Sequence, residues 1–209
     1  MTFEGIPKSL PGFLAELAAE PCLALIEGLA PRLAKMNPPH KAVAKVNQSL
    51  RRIHRDTRFS KDKTPYYTYL HLIFCAGDHP MRSPGLHLIF SPGGLGMGAG
   101  YWSFEKEQLA RYREAVVDDR KRKELEAVLE AAKAAGCHLE APALKRVPAG
   151  LEVPEAVEKL VRQKGIVVRN RNEAYDDAIF TPDCADYLTG RLENLLGIDR
   201  WLMANVFTD

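Results

Sequence analysis

The stretch Gly85-Leu86-His87-Leu88-Ile89-Phe90 decides the fold class of this chain. It is short, rich in aliphatic and aromatic residues, and preceded by the turn-forming residues Ser83-Pro84. This composition predicts a β-strand. Stretches of similar character lie at residues 50–54 and 66–75, and turn-forming residues at 77–80 and 83–85 separate the stretch 66–75 from the stretch 85–90. We therefore expect three antiparallel strands in this region.

A glycine-rich run follows at residues 92–100, with Gly94, Gly96 and Gly98 at alternate positions. A dinucleotide-binding loop needs G-x-G-x-x-G between a strand and a helix, and a phosphate-binding loop needs a lysine that is missing here. The run instead leads into a fourth predicted strand at residues 99–104. We expect a hairpin turn or bulge where small residues let another backbone or a ligand approach.

Helical periodicity surrounds this sheet region on both sides. Residues 10–36 predict two or three helical pieces interrupted by Pro21 and Pro31. Residues 105–135 predict two helices separated at 118–124, with Asp118 or Asp119 as a cap and Gly136 at the end.

Near the end of the chain, Thr181-Pro182 predicts the start of a further helix, and Gly197 predicts its stop. A short strand is expected before it, at residues 166–168. The sequence therefore predicts an α+β fold, in which a mostly antiparallel sheet is flanked by helices from the N- and C-terminal parts.

Composition limits the classes of protein to which this chain can belong. Its 209 residues are 46% hydrophobic and 27% charged, which predicts one folded domain over residues 1–209. We find no signal peptide or membrane-spanning run and expect a cytoplasmic protein without membrane partners. The four cysteines form no C-x-x-C pair, which favours buried reduced thiols.

Charge is balanced overall but concentrated locally. The net charge is +2, so attraction to nucleic acid or phosphate must come from a local patch. Residues 51–63 supply one, with six basic and two acidic residues, a local net of +4. Arginine guanidinium groups and hydroxyl donors in such a turn suit a phosphate or carboxylate.

Three interpretations of this segment remain open. The first is a binding site or enzyme for a small anionic ligand, with Asp56 and Asp62 as candidate catalytic residues. Its candidate ligand-binding residues are Arg55, Arg58, Ser60, Lys61, Lys63 and Tyr66. The second is a non-enzymatic contact with nucleic acid, which is not favoured, or with an acidic protein surface. The third is a structural clasp of ion pairs.

A histidine pair is a further candidate. His71 and His87 lie in adjacent predicted strands and are placed to face one another, but no third ligand stands at a suggestive spacing, so a metal site is not predicted. The sequence identifies no cofactor and leaves the oligomeric state open.

The stretch Arg55-Asp56-Thr57-Arg58-Phe59-Ser60-Lys61-Asp62-Lys63-Thr64-Pro65-Tyr66 resembles the hallmark of a family of conserved hypothetical proteins, domain of unknown function 2461. Other segments agree with the family in the same order: Pro84-Gly85-Leu86-His87, Ser91-Pro92-Gly93-Gly94, Gly98-Ala99-Gly100-Tyr101-Trp102 and Leu144-Lys145-Arg146-Val147-Pro148-Ala149-Gly150. The resemblance covers residues 10–200 and implies a shared fold and a site, but no reaction.

One departure from the family pattern lies near the start of the chain. Members of the family usually carry a Trp-Phe pair there, whereas no tryptophan precedes Trp102 in this sequence. In the family this Trp-Phe pair lies at a helix junction that is absent from this sequence. If that helix helps to cover the basic segment in the family, a pocket in this chain is expected to be more open or altered.

Overall fold

The computed structural model describes residues 13–79, 82–170 and 173–208, with side chains from residue 19 onward. Its elements, in chain order, are α1 (Phe13–Leu33), β1 (Leu70–Cys75), β2 (Gly85–Ser91), β3 (Gly94–Tyr101), α2 (Lys106–Val117), α3 (Asp119–Ala134), β4 (His138–Leu139), α4 (Glu155–Val161), β5 (Ile166–Arg169), a 3-10 helix (Asp177–Phe180), α5 (Cys184–Glu193) and α6 (Leu196–Asn205). None of the helices described is both long and apolar enough to cross a membrane.

The five strands form one sheet in the order β1-β2-β3-β5-β4, and every neighbouring pair is antiparallel. This arrangement confirms the predicted α+β class. The predicted strand at residues 50–54 does not form a regular strand. Leu50 forms an isolated bridge to Leu72 of β1, and the Arg51 amide donates to the His71 carbonyl at 2.9 Å. His54 bridges Tyr66, which precedes β1.

One face of the sheet carries the hydrophobic core. Alternate residues of a strand point to opposite faces, and the strand register places large aliphatic side chains on the face that the helices cover. The fully buried members on this face include Leu72, Phe74, Leu86, Leu88, Ala99, Ile166 and Val168. The helices α6 and α3 pack against this side of the molecule, so the opposite face of the central strands is left for other uses.

The prediction for the glycine-rich run was partly wrong. The run is not a loop before a strand at residues 99–104, because Gly94–Tyr101 is itself the strand β3. It lies in the middle of the sheet between β2 and β5. The expected close approach of another backbone is confirmed, because a Cβ atom on Gly98 would lie 2.7 Å from the Val168 carbonyl oxygen.

Residues 13–33 form a single helix rather than the two or three pieces expected from Pro21 and Pro31. Its buried residues are Cys22, Ile26, Leu29 and Leu33, at the spacing of one helical stripe. This stripe joins the core, and α1 packs against α5. Burial of four apolar side chains offsets the roughly 3 kcal/mol that each of the two interior prolines costs.

The two helices predicted between residues 105 and 135 are confirmed, but only Asp118 separates them. The Asp118 carboxylate accepts from the Lys121 amide at 2.8 Å and caps α3, as predicted. Gly136 has φ +83° just beyond the end of α3, as expected of a glycine that terminates a helix. Asp118 and Gly136 each lie within a few residues of the helix end that they determine, so the sequence alone predicts these helix ends.

The helix stop predicted at Gly197 is wrong. Gly197 lies inside α6, and α5 ends earlier, at Glu193. A Cβ atom on Gly197 would lie 2.8 Å from a methyl carbon of Val128 in α3, so the glycine allows the two helices to pack closely. The start predicted at Thr181-Pro182 is also displaced, because α5 begins at Cys184.

A buried polar pair fastens the turn after α1 to α6. His40 Nε2 lies 2.9 Å from Asp199 Oδ2, and both side chains are inaccessible to solvent. The other ring nitrogen, Nδ1, lies 2.8 Å from the Pro38 carbonyl oxygen, which it can satisfy only as a donor. Both nitrogens of His40 are therefore occupied in structural contacts.

The four cysteines are buried and form no disulfide, as predicted.

We expect Gly100→Ala to destabilise the protein by about 3 kcal/mol or more, because its φ of +120° disfavours a side chain and the new Cβ would lie 2.0 Å from the Ile166 carbonyl oxygen. Urea unfolding measures the loss.

The matched control is Gly190→Ala inside α5, where nothing beyond the adjoining residues and the backbone of the helix itself lies within 4 Å of the new methyl group. This change should raise the free energy of unfolding by about 0.5–1 kcal/mol through helix propensity. Equal stabilities of the two variants would contradict the close approach of β3 and β5.

Candidate functional site

The face of the sheet opposite the core holds a concave cavity of about 360 Å³, which we call the sheet-face cavity. Its lining includes side chains from β1, β2 and β5 and the extended segment before β1, together with the residues that follow β3. The lining residues are Arg51, His71, Ile73, Ser83, His87, Ile89, Met97, Gly98, Gly100, Tyr101, Trp102, Ser103, Val167, Arg169 and Asn170.

The glycines of β3 make this face concave. The register pairs Ile89 with Gly96, His87 with Gly98, and Gly98 with Arg169, so these residues lie on one face of the sheet. The strand therefore contributes backbone but no side chains between the side chains of its two neighbours. A Cβ atom on Gly96 would lie 3.1 Å from the Ile89 Cβ, so even a methyl group would crowd this floor.

Two histidines meet at one side of the cavity. His71 Nε2 and His87 Nδ1 lie 2.8 Å apart, a hydrogen-bond distance at which one ring donates its N–H to the lone pair of the other. The two residues sit diagonally across β1 and β2, because His71 pairs with Ile89 and Ile73 pairs with His87. The prediction that the two histidines face one another is confirmed.

Their surroundings keep both histidines neutral. Burial lowers the pKa of His71 to about 4, with a smaller contribution from the positive charge of Arg51. Burial also lowers the pKa of His87 to about 3, with contributions from His71 and Arg51. At neutral pH each ring then carries a single proton, and one of these protons occupies the shared hydrogen bond.

Two arginines bring positive charge to the cavity. Arg169 pairs through its Nε with Glu140. Arg51, by contrast, makes no side-chain hydrogen bond or ion pair with any residue in the described ranges. None of the described lining residues is acidic. The charge of Arg51 is therefore uncompensated in the part of the chain that the structure describes.

The cavity lining also includes polar groups and an exposed aromatic ring. Ser103 lies beyond the end of β3, Asn170 follows β5, and Trp102 lies at the cavity surface with 70% of the residue exposed. The second tryptophan, Trp201, is buried and donates its indole N–H to the Lys121 carbonyl at 2.9 Å. Only one of the two tryptophans therefore lies where a ligand in the cavity would contact it.

The predicted site at residues 55–66 forms the tip of a hairpin, which we call the hairpin tip. The Arg55 amide donates to the Pro65 carbonyl at 2.8 Å, and the His54 ring packs on the Tyr66 ring, with centroids 4.8 Å apart. The predicted site residues all lie here, and none of them lines the sheet-face cavity. They are Arg55, Asp56, Arg58, Ser60, Lys61, Asp62, Lys63 and Tyr66.

Ion pairs within the hairpin tip occupy both of its carboxylates. Arg58 binds Asp56 through two nitrogens, with the Nη2 to Oδ2 distance at 2.7 Å, and Arg55 pairs with Asp62. These contacts lower the pKa of Asp56, chiefly through the Arg58 side chain, and hydrogen bonds from Thr64 and Arg55 lower that of Asp62. A carboxylate with a lowered pKa is a weak base at neutral pH.

The remaining residues of the hairpin tip are largely solvent-exposed. Lys63 Nζ donates to the Thr57 carbonyl at 2.9 Å, and Arg55 Nη2 lies 3.5 Å from the Ser60 hydroxyl. Phe59 is 94% exposed, and the Arg58 guanidinium carbon lies 5.8 Å from the centre of its ring. The tip thus combines internal ion pairs with an uncovered aromatic ring.

The residues that sequence reasoning missed are Arg51 and Arg169. Arg51 belongs to the basic cluster of residues 51–63, but it lies beside His71 at the base of the hairpin rather than at the tip. Arg169 follows the predicted strand at residues 166–168, with nothing nearby in sequence to mark it. The described residues contain no group of three or more side chains placed to hold a metal ion.

A family model described as a conserved hypothetical protein, DUF2461, matches residues 15–201. No curated protein and no solved structure matches this chain.

The histidine pair should make stability depend on pH. Because the folded-state pKa values of about 4 and 3 lie below the unfolded value of 6.5, the unfolded chain binds more protons between pH 6.5 and 4. The free energy of unfolding should fall with falling pH in that window, by up to about 1.4 kcal/mol per pH unit for each histidine.

Urea unfolding at pH 7.0, 6.0 and 5.0 measures this dependence, and the double variant His71→Gln/His87→Gln should flatten it. The control is His54→Gln, at a histidine outside the cavity. A double variant with the wild-type pH dependence would show that the pair is not the source. Arg51 and Arg169 near the pair keep their charge over this range, and Glu140 is ion-paired with Arg169.

Proposed function

The chain belongs to the DUF2461 family of conserved hypothetical proteins, and we propose that it binds a small anionic ligand with an apolar body in the sheet-face cavity. The observation that carries this proposal is the guanidinium of Arg51. It borders a concave surface and has no ion-pair partner among the described residues. A carboxylate or phosphate would supply that partner, because each presents two oxygen atoms that match the two parallel N–H donors of a guanidinium.

Charge supports an anion rather than a cation. The described lining contains two arginines, two histidines and no carboxylate, and the arginines are positive at any physiological pH. A cationic ligand would meet uncompensated like charge. An anion would gain both the contact with Arg51 and the field of the partly neutralised Arg169.

Shape and polarity support a ligand of modest size. A volume of about 360 Å³ lies near the lower end of the range for small-molecule sites. Ile73, Ile89 and Val167 give the cavity apolar walls, and the glycines leave its floor open to close contact with an apolar or planar group. The neutral histidines and Ser103 offer the few polar contacts that fix orientation in such sites.

We locate the ligand in the cavity rather than at the hairpin tip because of how the charges are distributed. Arg55 and Arg58, the arginines of the tip, are already paired with Asp62 and Asp56. An anion at the tip would have to compete with these carboxylates, whereas Arg51 requires no exchange of partners. The tip residues then stabilise the hairpin that carries Arg51 and His71 at its base.

Arg51→Ala should weaken binding of small carboxylates and phosphates by about 10- to 100-fold, since a hydrogen-bonded charge contributes about 1.5–3 kcal/mol. Trp102 fluorescence and isothermal titration calorimetry, with a panel of aliphatic and aromatic carboxylates and phosphate monoesters, measure the affinities. Trp102→Phe should remove the fluorescence response and leave the calorimetric affinity nearly unchanged.

The matched control is Arg52→Ala, which removes the adjacent arginine, a residue that does not line the cavity. This variant should bind as the wild type does. Equal losses in Arg51→Ala and Arg52→Ala, or no binding of any panel member by the wild type, would overturn the proposal.

A second candidate function is a non-enzymatic contact between the hairpin tip and single-stranded nucleic acid. The observation that favours it is Phe59, whose 94% exposure places an aromatic ring among Arg58, Lys61 and Lys63. Proteins that bind single strands combine such a stacking ring with cations along the phosphate backbone.

Fluorescence anisotropy with a labelled oligothymidine tests this candidate. Affinity should fall steeply between 50 and 200 mM salt, and Phe59→Ala should weaken binding by about 5-fold or more, whereas Phe180→Ala, at another exposed phenylalanine, should not. Binding that is absent or insensitive to salt would remove this candidate and leave an acidic protein surface as the remaining partner for the tip.

A further inference from the structure

The hydrogen bond between His71 and His87 leaves one nitrogen of each ring available. His71 Nδ1 and His87 Nε2 have no hydrogen-bond partner among the described residues, and both side chains line the sheet-face cavity. The cavity is therefore lined by a pair of rings whose inner nitrogens are joined and whose outer nitrogens are not engaged within the described structure.

The shared proton links the states of the two outer nitrogens. If His71 Nε2 carries it, His71 Nδ1 is an acceptor and the single proton of His87 must lie on Nε2, which is then a donor. If His87 Nδ1 carries it, the outer roles are reversed. In either state the pair presents one acceptor and one donor, and a shift of the inner proton exchanges them without changing the net charge.

From this geometry we infer that the His71–His87 pair is a proton relay that catalyses proton transfer on the ligand bound beside Arg51. The inference rests on the proposed function, and it names the substrate class as small 2-oxo carboxylates with an apolar side chain. The carboxylate pairs with Arg51, and the apolar side chain packs against Ile73 and Ile89. The acidic C–H next to the carbonyl then lies beside the outer nitrogens of the histidine pair.

The proton balance of the step is closed. The outer acceptor on one ring takes the proton from the carbon next to the carbonyl, so a C–H bond breaks and an N–H bond forms. That ring passes its inner proton to the other ring, whose outer N–H then gives its proton to the carbonyl oxygen. The product is the enol of the same molecule, and no oxidant, reductant or second substrate takes part.

After the step both rings are neutral but carry the reversed pattern of protons. Release of the new outer proton to water, gain of a proton from water at the other outer nitrogen and return of the inner proton restore the starting pattern, as does the reverse reaction. Arg51 serves this chemistry in two ways. It holds the carboxylate, and its positive charge stabilises the electron density that develops on the enol oxygen. The same charge disfavours a second positive charge on the rings. The lowered pKa values of both rings agree with a relay that stays neutral.

Other charged groups near the relay do not carry out the same transfer. Arg51, on the extended segment beside β1, and Arg169, on β5, are permanent cations that cannot accept a proton at neutral pH. Glu140 is paired with Arg169. Among these groups, the histidine pair is the one placed to both accept and donate a proton at pH 7.

The experiment follows loss of the C3 proton signal of phenylpyruvate in D₂O by proton NMR, with the full chain at pD 7 and a protein-free blank in the same buffer. The wild type should accelerate exchange above the blank. His71→Gln and His87→Gln should each lower the protein-dependent rate by about 100-fold or more, the typical contribution of a positioned acid or base. His54→Gln should leave it unchanged.

Binding of phenylpyruvate, followed in parallel through Trp102 fluorescence, separates the two proposals. Binding that Arg51→Ala weakens, without faster exchange by the wild type, overturns the relay and leaves the proposed function standing. Absence of binding overturns the relay, and the carboxylate and phosphate panel then decides the proposed function. Exchange that survives in both histidine variants also overturns the relay.

A wild-type pH profile keeps the relay testable if a histidine variant does not fold. A neutral relay predicts a protein-dependent exchange rate that is nearly flat from pH 5.5 to 8, because both rings lose their extra proton below this range. A rate that rises through a midpoint near pH 6.5 would show an ordinary, unlinked histidine and would contradict the relay.

Discussion

The close approach of backbone around β3 is the constraint on which the rest of this structure depends. The strand presents Leu95, Met97 and Ala99 to the core, and glycines alternate with them on the other face. Side chains at Gly98 and Gly100 would collide with the main chain of β5, most severely where a Gly100 Cβ would lie 2.0 Å from the Ile166 carbonyl oxygen. The strand β3 can therefore approach its neighbour β5 this closely only if its cavity-facing positions carry no side chains.

This asymmetry produces the site as a by-product of packing. A central strand with ordinary side chains on both faces would fill the space between β2 and β5. Without them, the side chains of the flanking strands border an empty floor, and the histidines of β1 and β2 are buried enough to lose their charge while still lining a cavity. An ionisable group that is buried but still borders an open cavity has a shifted pKa and remains within reach of a ligand, which is typical of functional sites.

The sequence predicted the parts of the fold whose determinants are local. Asp118 and Gly136 mark helix ends through contacts with residues three or four positions away, and both were recognised. The prediction of a helix stop at Gly197 is wrong because the neighbour of this glycine is Val128, almost seventy positions earlier in the chain. The glycine serves helix packing rather than helix termination. The prediction of a helix break at Pro21 is wrong for a similar reason, since burial along α1 keeps the helix continuous and depends on α5.

The candidate site divides along the same line. Composition identified a basic segment, but composition treats all of its arginines as equivalent. Arg55 and Arg58 find carboxylates within seven residues, as a tight hairpin allows. Arg51 is separated from those carboxylates because it lies at the base of the hairpin, opposite His71, where the sheet supplies a histidine instead of an acid. An arginine is available to a ligand only where the fold places no carboxylate beside it. Whether a carboxylate lies there depends on strand register rather than on neighbouring residues in the sequence.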